Sequence, residues 1–253
     1  MTSLADVVAE GRRLVESAGL PVRLLGGVGV ALHDHGQVPA ALERGYGDLD
    51  VVVPRKSARA TTEAMTAAGY EPNERFNALH GAHRMLFYDT ENKRQVDVFV
   101  GTFSMCHRLD LAGRLGEHAY SLDAADLLLT KLQIHEINRK DLVDAVRLLL
   151  THENADIGGG AGVPDVMSLD RLRSVTSVDW GWFTTVTDNL RLVRGVAGDL
   201  LDPAEAAVVE ARADTIDESL RSAPKSMRWR ARSVVGRKTP WYELPEEVGG
   251  AHA

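Results

Sequence analysis

The chain has 253 residues, of which 44% are hydrophobic and 26% charged, and its formal net charge is −7. This composition excludes a disordered chain and is typical of a soluble globular protein with one large domain or two small ones. The excess of acid argues against a protein that coats nucleic acid over its whole surface. The single cysteine, Cys106, excludes an intrachain disulfide and a cysteine-based zinc site.

Neither a membrane span nor a secretory signal is predicted. The sequence has no run of about 18 apolar residues, and acidic and basic residues interrupt the apolar ones over residues 1–20. We therefore expect a cytoplasmic protein.

The first half of the chain predicts alternating helices and strands. Apolar spacing, β-branched runs and turn residues place helices over 4–18, 28–35 and 57–68, and strands over 22–25, 48–53, 83–88 and 94–100. The last two strands are separated by five turn-forming residues, so we expect them to pair as an antiparallel hairpin.

The second half predicts mostly helix, because apolar residues recur at helical spacing from Asp123 onward. Two further helices are predicted over 179–198 and 203–221, the second with Asp202 as its N-cap. A glycine-rich stretch over 158–164 predicts a flexible connection.

Three carboxylates fall on the predicted strands. Asp48 and Asp50 are two positions apart, so they project from the same face with Cα atoms roughly 7 Å apart. Asp97 lies between valines on the later strand and can point toward this pair. Such a cluster favours Mg²⁺ or Mn²⁺, and two ions about 4 Å apart serve nucleotidyl transfer. The alternative is a solvated strand start, since 36 acidic residues make such patterns common by chance.

A glycine pair, Gly26-Gly27, falls between the first strand and the short helix that follows it. Bare backbone N–H groups at such a junction can receive a phosphate. A plain tight turn is the alternative interpretation of the same residues.

Together these residues resemble the nucleotidyltransferase superfamily that shares the catalytic core of DNA polymerase β. Its pattern of a glycine pair, a short helix, an Asp-x-Asp strand and a later single Asp is matched by Gly26-Gly27, by Asp48 and Asp50, and by Asp97. The interval between the glycines and the first Asp is long, so we expect residues 36–46 to form a loop. The resemblance implies an α+β fold, with a nucleotidyltransferase-type mixed β-sheet and flanking helices, followed by a mostly helical C-terminal region.

A second stretch is similar to bacterial nucleotidyltransferases related to abortive-infection and toxin–antitoxin toxins. Lys131 and the pair Asp141 and Asp144 match the Lys and Lys-Asp-x-x-Asp elements of that group. The resemblance, which covers residues 22–150, implies that Lys131 holds the triphosphate, and it raises the hypothesis of a neighbouring antitoxin. The two acids share a helix face and could hold Lys131 or Lys140, assist metal binding or act as a base; solvated helix charges are the alternative.

The resemblance also implies a reaction and a role for each residue. The enzyme would transfer NMP from an NTP to an acceptor and release pyrophosphate, with Mg²⁺ or Mn²⁺ as cofactor. Asp48 and Asp50 would bind two metal ions, and Asp97 would bind one and help to deprotonate the acceptor hydroxyl. Gly26, Gly27 and Lys131 would hold the triphosphate, with Asp141 and Asp144 at the same nucleotide site.

The implied organisation is a catalytic domain over 1–120, a helical domain completing the nucleotide cleft over 121–222, and a basic, flexible tail over 223–253. Between Arg221 and Lys238 the chain has seven cations, no acid and Trp229, so RNA could bind there, although a solvated tail is the alternative.

The acceptor is left open among an RNA end, a protein hydroxyl and a small molecule. A hypothesis of another class is a non-catalytic nucleotide-sensing or protein-interaction module. Arg84, beside a predicted strand, could neutralise a phosphate or be an exposed strand residue.

Overall fold

A five-stranded mixed sheet organises the N-terminal half of the fold, in a computed structural model that describes residues 3–34, 38–156 and 166–244. The strand order is β1-β2-β5-β4-β3, with β2 and β5 parallel and the other neighbours antiparallel. The strands are β1 (Arg23–Leu25), β2 (Asp48–Val53), β3 (Glu71–Pro72), β4 (Arg84–Asp89) and β5 (Arg94–Val100). The helices of this half are α1 (Leu4–Ser17), α2 (Gly26–Ala31), α3 (Ala58–Ala67) and α4 (Glu74–His80).

The predicted strands and hairpin are confirmed. The β-branched run of β2 is buried from Val51 to Val53 and pairs along its whole length with β5. The β4–β5 turn is closed by Asp89, whose carboxylate accepts hydrogen bonds from the backbone N–H groups of Glu91 and Asn92. Such local side-chain bonds fix a hairpin in one alignment.

The C-terminal half is mostly helical, as predicted. A small hairpin, β6 (Thr102–Ser104) and β7 (Arg108–Asp110), follows the main sheet, and β8 (Asn154–Ala155) pairs with β9 (Met167–Ser168). The helices are α5 (Ala124–Leu132), α6 (Arg139–Thr151), α7 (Leu169–Thr176), α8 (Trp180–Leu200), α9 (Pro203–Ser222) and α10 (Met227–Val235).

One hydrophobic core joins the sheet to these helices. It includes Leu25 and Val30 from β1 and α2 together with Leu127, Leu128 and Val146 from α5 and α6. Helix α2 contacts both α5 and α6, so the glycine pair at its start lies close to the helices that carry Lys131, Asp141 and Asp144. The predicted domain boundaries at residues 120 and 222 remain predictions, but the buried core is continuous across the first of them.

The predicted N-cap of α9 is confirmed, because the Asp202 carboxylate accepts hydrogen bonds from the backbone N–H groups of Ala204 and Glu205. The short helix predicted over 28–35 is α2, but it begins at Gly26 and ends at Ala31, so both predicted bounds are wrong. Gly36, which was expected to end it, and the predicted glycine-rich connection over 158–164 lie outside the described residues. None of the helices in the described ranges is long and apolar enough to cross a membrane.

Residues assigned from sequence to a basic tail include helix α10 and a segment that returns to the protein. The indole of Trp241 donates to Thr185 at 3.1 Å, and the backbone N–H of Glu243 donates to the carbonyl of Cys106 at 2.9 Å. Arg232 donates to the carbonyls of Thr239 and Pro240 on this segment. The segment up to Leu244 therefore packs along α8 and the loop between β6 and β7.

Candidate active site

The three predicted carboxylates meet on the two central parallel strands. Asp50 lies directly opposite Asp97 in the β2–β5 ladder, so their side chains share one face of the sheet. Asp48 begins β2 and is exposed, Asp50 is half-buried, and Asp97 is buried. The sheet thus brings together the three acids that the sequence singled out.

Crowding of negative charge is most evident at Asp50. Burial, followed by the charges of Asp48 and Asp97, raises the pKa of Asp50 to about 7, although Lys131 and Arg84 oppose the shift. A carboxylate in this position favours either a proton or a cation.

The glycine pair provides room for the side chains of the site. Gly26 has φ +63°, and a Cβ built on it would overlap the carboxylate of Asp50. A Cβ on Gly27 would overlap the guanidinium of Arg44 and the ring of Tyr46. Both glycines are buried beneath these groups. The pair is therefore a point of close approach, as well as the first turn of α2.

Arg44 and Tyr46 are site residues that the sequence reasoning missed. They lie in the connection before β2, where the guanidinium carbon of Arg44 is 4.3 Å from the centroid of the Tyr46 ring. The Tyr46 hydroxyl accepts a hydrogen bond from Arg147 at 2.7 Å. The unusually long interval between Gly27 and Asp48 was the available signal, since the extra residues bring Arg44 over the glycine pair.

Asp144 links Arg44, in the segment before β2, to Lys131. Its carboxylate accepts from Arg44 Nε at 2.9 Å and Nη2 at 2.6 Å, and its Oδ2 lies 2.8 Å from Lys131 Nζ. Lys131 also donates to Asp141 at 2.7 Å. The Asp144 side chain is 0% exposed. Of the roles left open for the two acids, this geometry favours holding Lys131, whereas Lys140 is exposed.

The ionisation of this network follows from its ion pairs. Burial opposes charge on Asp144, but Lys131 and Arg44 outweigh it and hold the pKa of Asp144 below its usual value. Burial likewise lowers the pKa of Lys131, but the charges of Asp144 and Asp141 outweigh it and raise that pKa. Asp144, Lys131 and Arg44 are therefore all charged at neutral pH.

Asp97 has its own cationic partner, Arg84. Arg84 Nε lies 2.9 Å from Oδ1 and 3.1 Å from Oδ2 of Asp97, and Nη2 donates to Oδ2. Burial raises the pKa of Asp97, with hydrogen bonds and charge from Arg84 acting in the opposite direction. Arg84 is half-buried and paired with Asp97, so the interpretation of it as an exposed strand residue is wrong. A contact between Arg84 and a phosphate stays a prediction.

Comparison with known proteins identifies the family. A family profile described as uncharacterised nucleotidyltransferase matches residues 2–198. The chain belongs to this family. Among solved structures, it is similar to a crystal structure of an H. pylori protein provisionally named a nucleotidyltransferase, at 14% identity and TM-score 0.37, over 87% of this chain and 98% of the other. That similarity is too low to carry an argument. The comparison with curated proteins gives no match.

Nucleotidyltransferases generally use an NTP and a divalent metal ion, so the fit of the three acids to a metal matters. Their oxygen donors suit Mg²⁺ or Mn²⁺. Within the described ranges, however, no three Asp, Glu, His or Cys side chains are arranged so that they could hold a metal ion. Asp97 is turned to Arg84 with both oxygens engaged. The carboxylate oxygens of Asp48 and Asp50 thus suit a divalent metal ion. The side chain of Asp97, which is turned to Arg84, does not complete a three-carboxylate metal site with them.

Several cations of the Arg221–Lys238 segment are engaged within the chain of this nucleotidyltransferase. Arg221 pairs with Asp217 at 3.0 Å, and Arg237 pairs with Asp188 at 2.6 Å. Lys225, like Arg232, donates to backbone carbonyls. Binding of RNA by this segment stays a prediction, and it would have to use the cations that are not engaged in this way.

Proposed function

We propose that this nucleotidyltransferase transfers NMP from an NTP to a hydroxyl acceptor and releases pyrophosphate. The observation that carries the proposal is the meeting of Asp48, Asp50 and Asp97 on one sheet face beside the glycine pair. Three mutually repelling carboxylates destabilise a fold unless positive charge lies beside them, and such clusters are typical of sites that bind a cation or carry out a reaction.

The cationic side of the same site supports binding of a triphosphate. Lys131 and Arg44 carry positive charge beside the glycine pair, and both are fixed by Asp144. A guanidinium presents a planar fork to phosphate, and an ammonium presents a compact charge. We assign Lys131, Arg44 and the backbone of Gly26 and Gly27 to the triphosphate.

We assign Asp48 and Asp50 to the divalent cation, Mg²⁺ or Mn²⁺, that accompanies the NTP. When bound, such an ion neutralises developing phosphate charge. The exposure of Asp48 leaves its carboxylate accessible to ligands from solvent.

The chemical step involves the acceptor hydroxyl and the α-phosphorus of the NTP. The hydroxyl oxygen attacks phosphorus, the bond to the bridging oxygen breaks, and pyrophosphate leaves with the electron pair. Asp97 takes the hydroxyl proton, which its buried position and raised pKa favour. For this step, at least one carboxylate oxygen of Asp97 must first be released from its hydrogen bond with Arg84.

Transfer can be tested with an NTP labelled at the α-phosphorus, incubated separately with RNA, protein and metabolite fractions. We expect label in one fraction with the wild type and with Asp199→Asn, which changes an exposed acid on α8. We expect loss of at least about a hundredfold with Asp48→Asn, as for removal of a transition-state charge partner. Equal labelling by wild type and Asp48→Asn would contradict the proposal.

The labelled fraction also identifies the acceptor class. An RNA acceptor would favour a role for the Arg221–Lys238 segment, which Arg230→Gln in helix α10 would test, because this exposed arginine lies on the surface of the segment. A toxin role predicts that expression of the wild type arrests growth and that expression of Asp48→Asn does not. Normal growth with the wild type would argue against a toxin and its antitoxin.

The alternative module that senses nucleotides without catalysis makes a distinct prediction. It would bind NTP with an affinity that Asp48→Asn weakens, but would label no fraction. Calorimetry of NTP binding alongside the labelling assay separates the two functions.

A further inference from the structure

The contact between Arg84 and Asp97 occupies the carboxylate that a metal site on this sheet would need. The fork of Arg84 covers both oxygens of Asp97, with Nε 2.9 Å from Oδ1 and Nη2 bonded to Oδ2. The two side chains are 13% and 7% exposed. This is an enclosed ion pair, which solvent screens far less than a surface pair.

Two aromatic rings hold the guanidinium in place. The guanidinium carbon of Arg84 lies 5.1 Å from the centroid of the Phe99 ring and 6.0 Å from that of Phe76. Cation–π contacts of this kind fix the plane of an arginine and stabilise it where water is excluded. Arg84 is therefore built into the sheet face, with Asp97 as its partner.

The position of the pair places a positive charge directly beside the three acids. Asp97 faces Asp50 across the β2–β5 ladder, and Asp48 lies two residues before Asp50 on β2. Without Arg84, Asp97 would add unbalanced negative charge beside two other carboxylates. The guanidinium supplies the positive charge that a metal ion would otherwise supply.

We propose that Arg84 is an intramolecular competitor of the divalent cation, which withholds Asp97 from the metal until cation and NTP bind together. The inference rests on the proposed function in taking Asp48 and Asp50 as the cation site. It makes Arg84 a positioning residue that acts through Asp97.

A purely structural role for Arg84 makes the opposite prediction for metal affinity. If Arg84 only stabilises the pairing of β4 with β5, its loss disorders the sheet face that carries the three acids and weakens cation binding. If it competes, Arg84→Gln removes one positive charge next to the cation and releases both Asp97 oxygens. We expect Mn²⁺ to bind about tenfold more tightly, a modest effect for one unit charge a few ångströms from a divalent ion.

The test is a titration of the full chain with Mn²⁺ alone, following free Mn²⁺ by electron paramagnetic resonance. Arg84→Lys keeps the charge but lacks the fork, so we expect tightening of about threefold. Arg59→Gln is the matched control, because it neutralises an arginine whose side chain is 93% exposed and pairs with Glu63; its affinity should equal that of the wild type. Adding Asp97→Asn to Arg84→Gln should remove the gain.

The outcomes separate the inference from the proposed function. Circular dichroism establishes that each variant is folded, and Arg84→Lys decides the question if Arg84→Gln does not fold. Unchanged or weaker Mn²⁺ binding by the folded Arg84 variants, with binding by the wild type, overturns the inference and leaves the proposed function standing. No Mn²⁺ binding by wild type or variants overturns the metal site and the inference together.

Discussion

The carboxylate of Asp50 occupies the space that a side chain on Gly26 would take. Gly26 also has φ +63°, a conformation that residues with a Cβ rarely adopt. The glycine and the aspartate are therefore one unit, in which the absence of a side chain on the helix permits the carboxylate on the strand.

Gly26→Ala should therefore displace Asp50 and abolish transfer of labelled NMP. Gly19→Ala is the matched control, because Gly19 has φ +64° and a Cβ there would meet nothing within 4 Å. Both substitutions should lower the free energy of unfolding by about 1 kcal/mol through the strained φ, with a further loss only at Gly26. Retention of activity in Gly26→Ala would show that Asp50 need not stay where it is.

Asp144→Asn should be strongly destabilising, since it leaves the buried charges of Lys131 and Arg44 without their common partner. We expect a loss of about 3 kcal/mol in the free energy of unfolding, as for other broken buried pairs. Asp141 is partly exposed and pairs with Lys131 but not with Arg44. Asp141→Asn should therefore lower the free energy of unfolding by about 1 kcal/mol or less. Urea denaturation of the two variants measures the difference, and equal losses would contradict the assigned roles.

The raised pKa of Asp50 predicts a pH dependence of stability. Burial and the neighbouring acids raise this pKa to about 7 in the folded protein. Between the ordinary pKa of an aspartate and pH 7, the folded state therefore holds a proton that the unfolded state has released. Without metal, the free energy of unfolding should fall by up to about 1.4 kcal/mol per pH unit between about pH 4 and 7 from this group. Asp50→Asn removes that contribution. Urea denaturation across this range should give a flatter profile for the variant, and parallel profiles would exclude the shift.

Arg44→Lys should weaken NTP binding although it preserves charge. The guanidinium uses two nitrogens on Asp144 and covers Gly27, which an ammonium cannot do at once. We expect calorimetry to give about tenfold weaker NTP binding, equivalent to about 1.4 kcal/mol. Arg191→Lys on α8 should bind as the wild type does, because its side chain is 63% exposed and pairs with Asp188 on the same helix. Equal affinities for the two variants would remove Arg44 from the nucleotide site.

Much of the sheet could be predicted from sequence because its signals are local. The run of valines after Asp50 predicts β2, and alternation around Asp97 predicts β5, so the approach of these two acids follows once the strands pair. The glycine pair is likewise evident within a short segment, whereas Lys131 is singled out only by its resemblance to a family element.

The remaining features depend on contacts between distant residues. Arg44 lies in a connection without periodicity, and only the fold reveals that it reaches Asp144, 100 positions later. The Arg84–Asp97 pair depends on the alignment of β4 with β5 and on the packing of Phe99. The local composition of the segment after α10 predicts a basic tail, because it does not show contacts between distant residues such as that of Trp241 with Thr185.

The most direct test of the central claim uses one NTP labelled in two positions. The wild type, supplied with Mg²⁺ and the acceptor fraction, should transfer label from the α-phosphorus to the acceptor and release label from the γ-phosphorus as pyrophosphate. Asp48→Asn should do neither above background. Transfer of the γ-label to the acceptor would instead show a phosphoryl transferase and contradict nucleotidyl transfer, and transfer of neither label to any fraction would contradict catalysis.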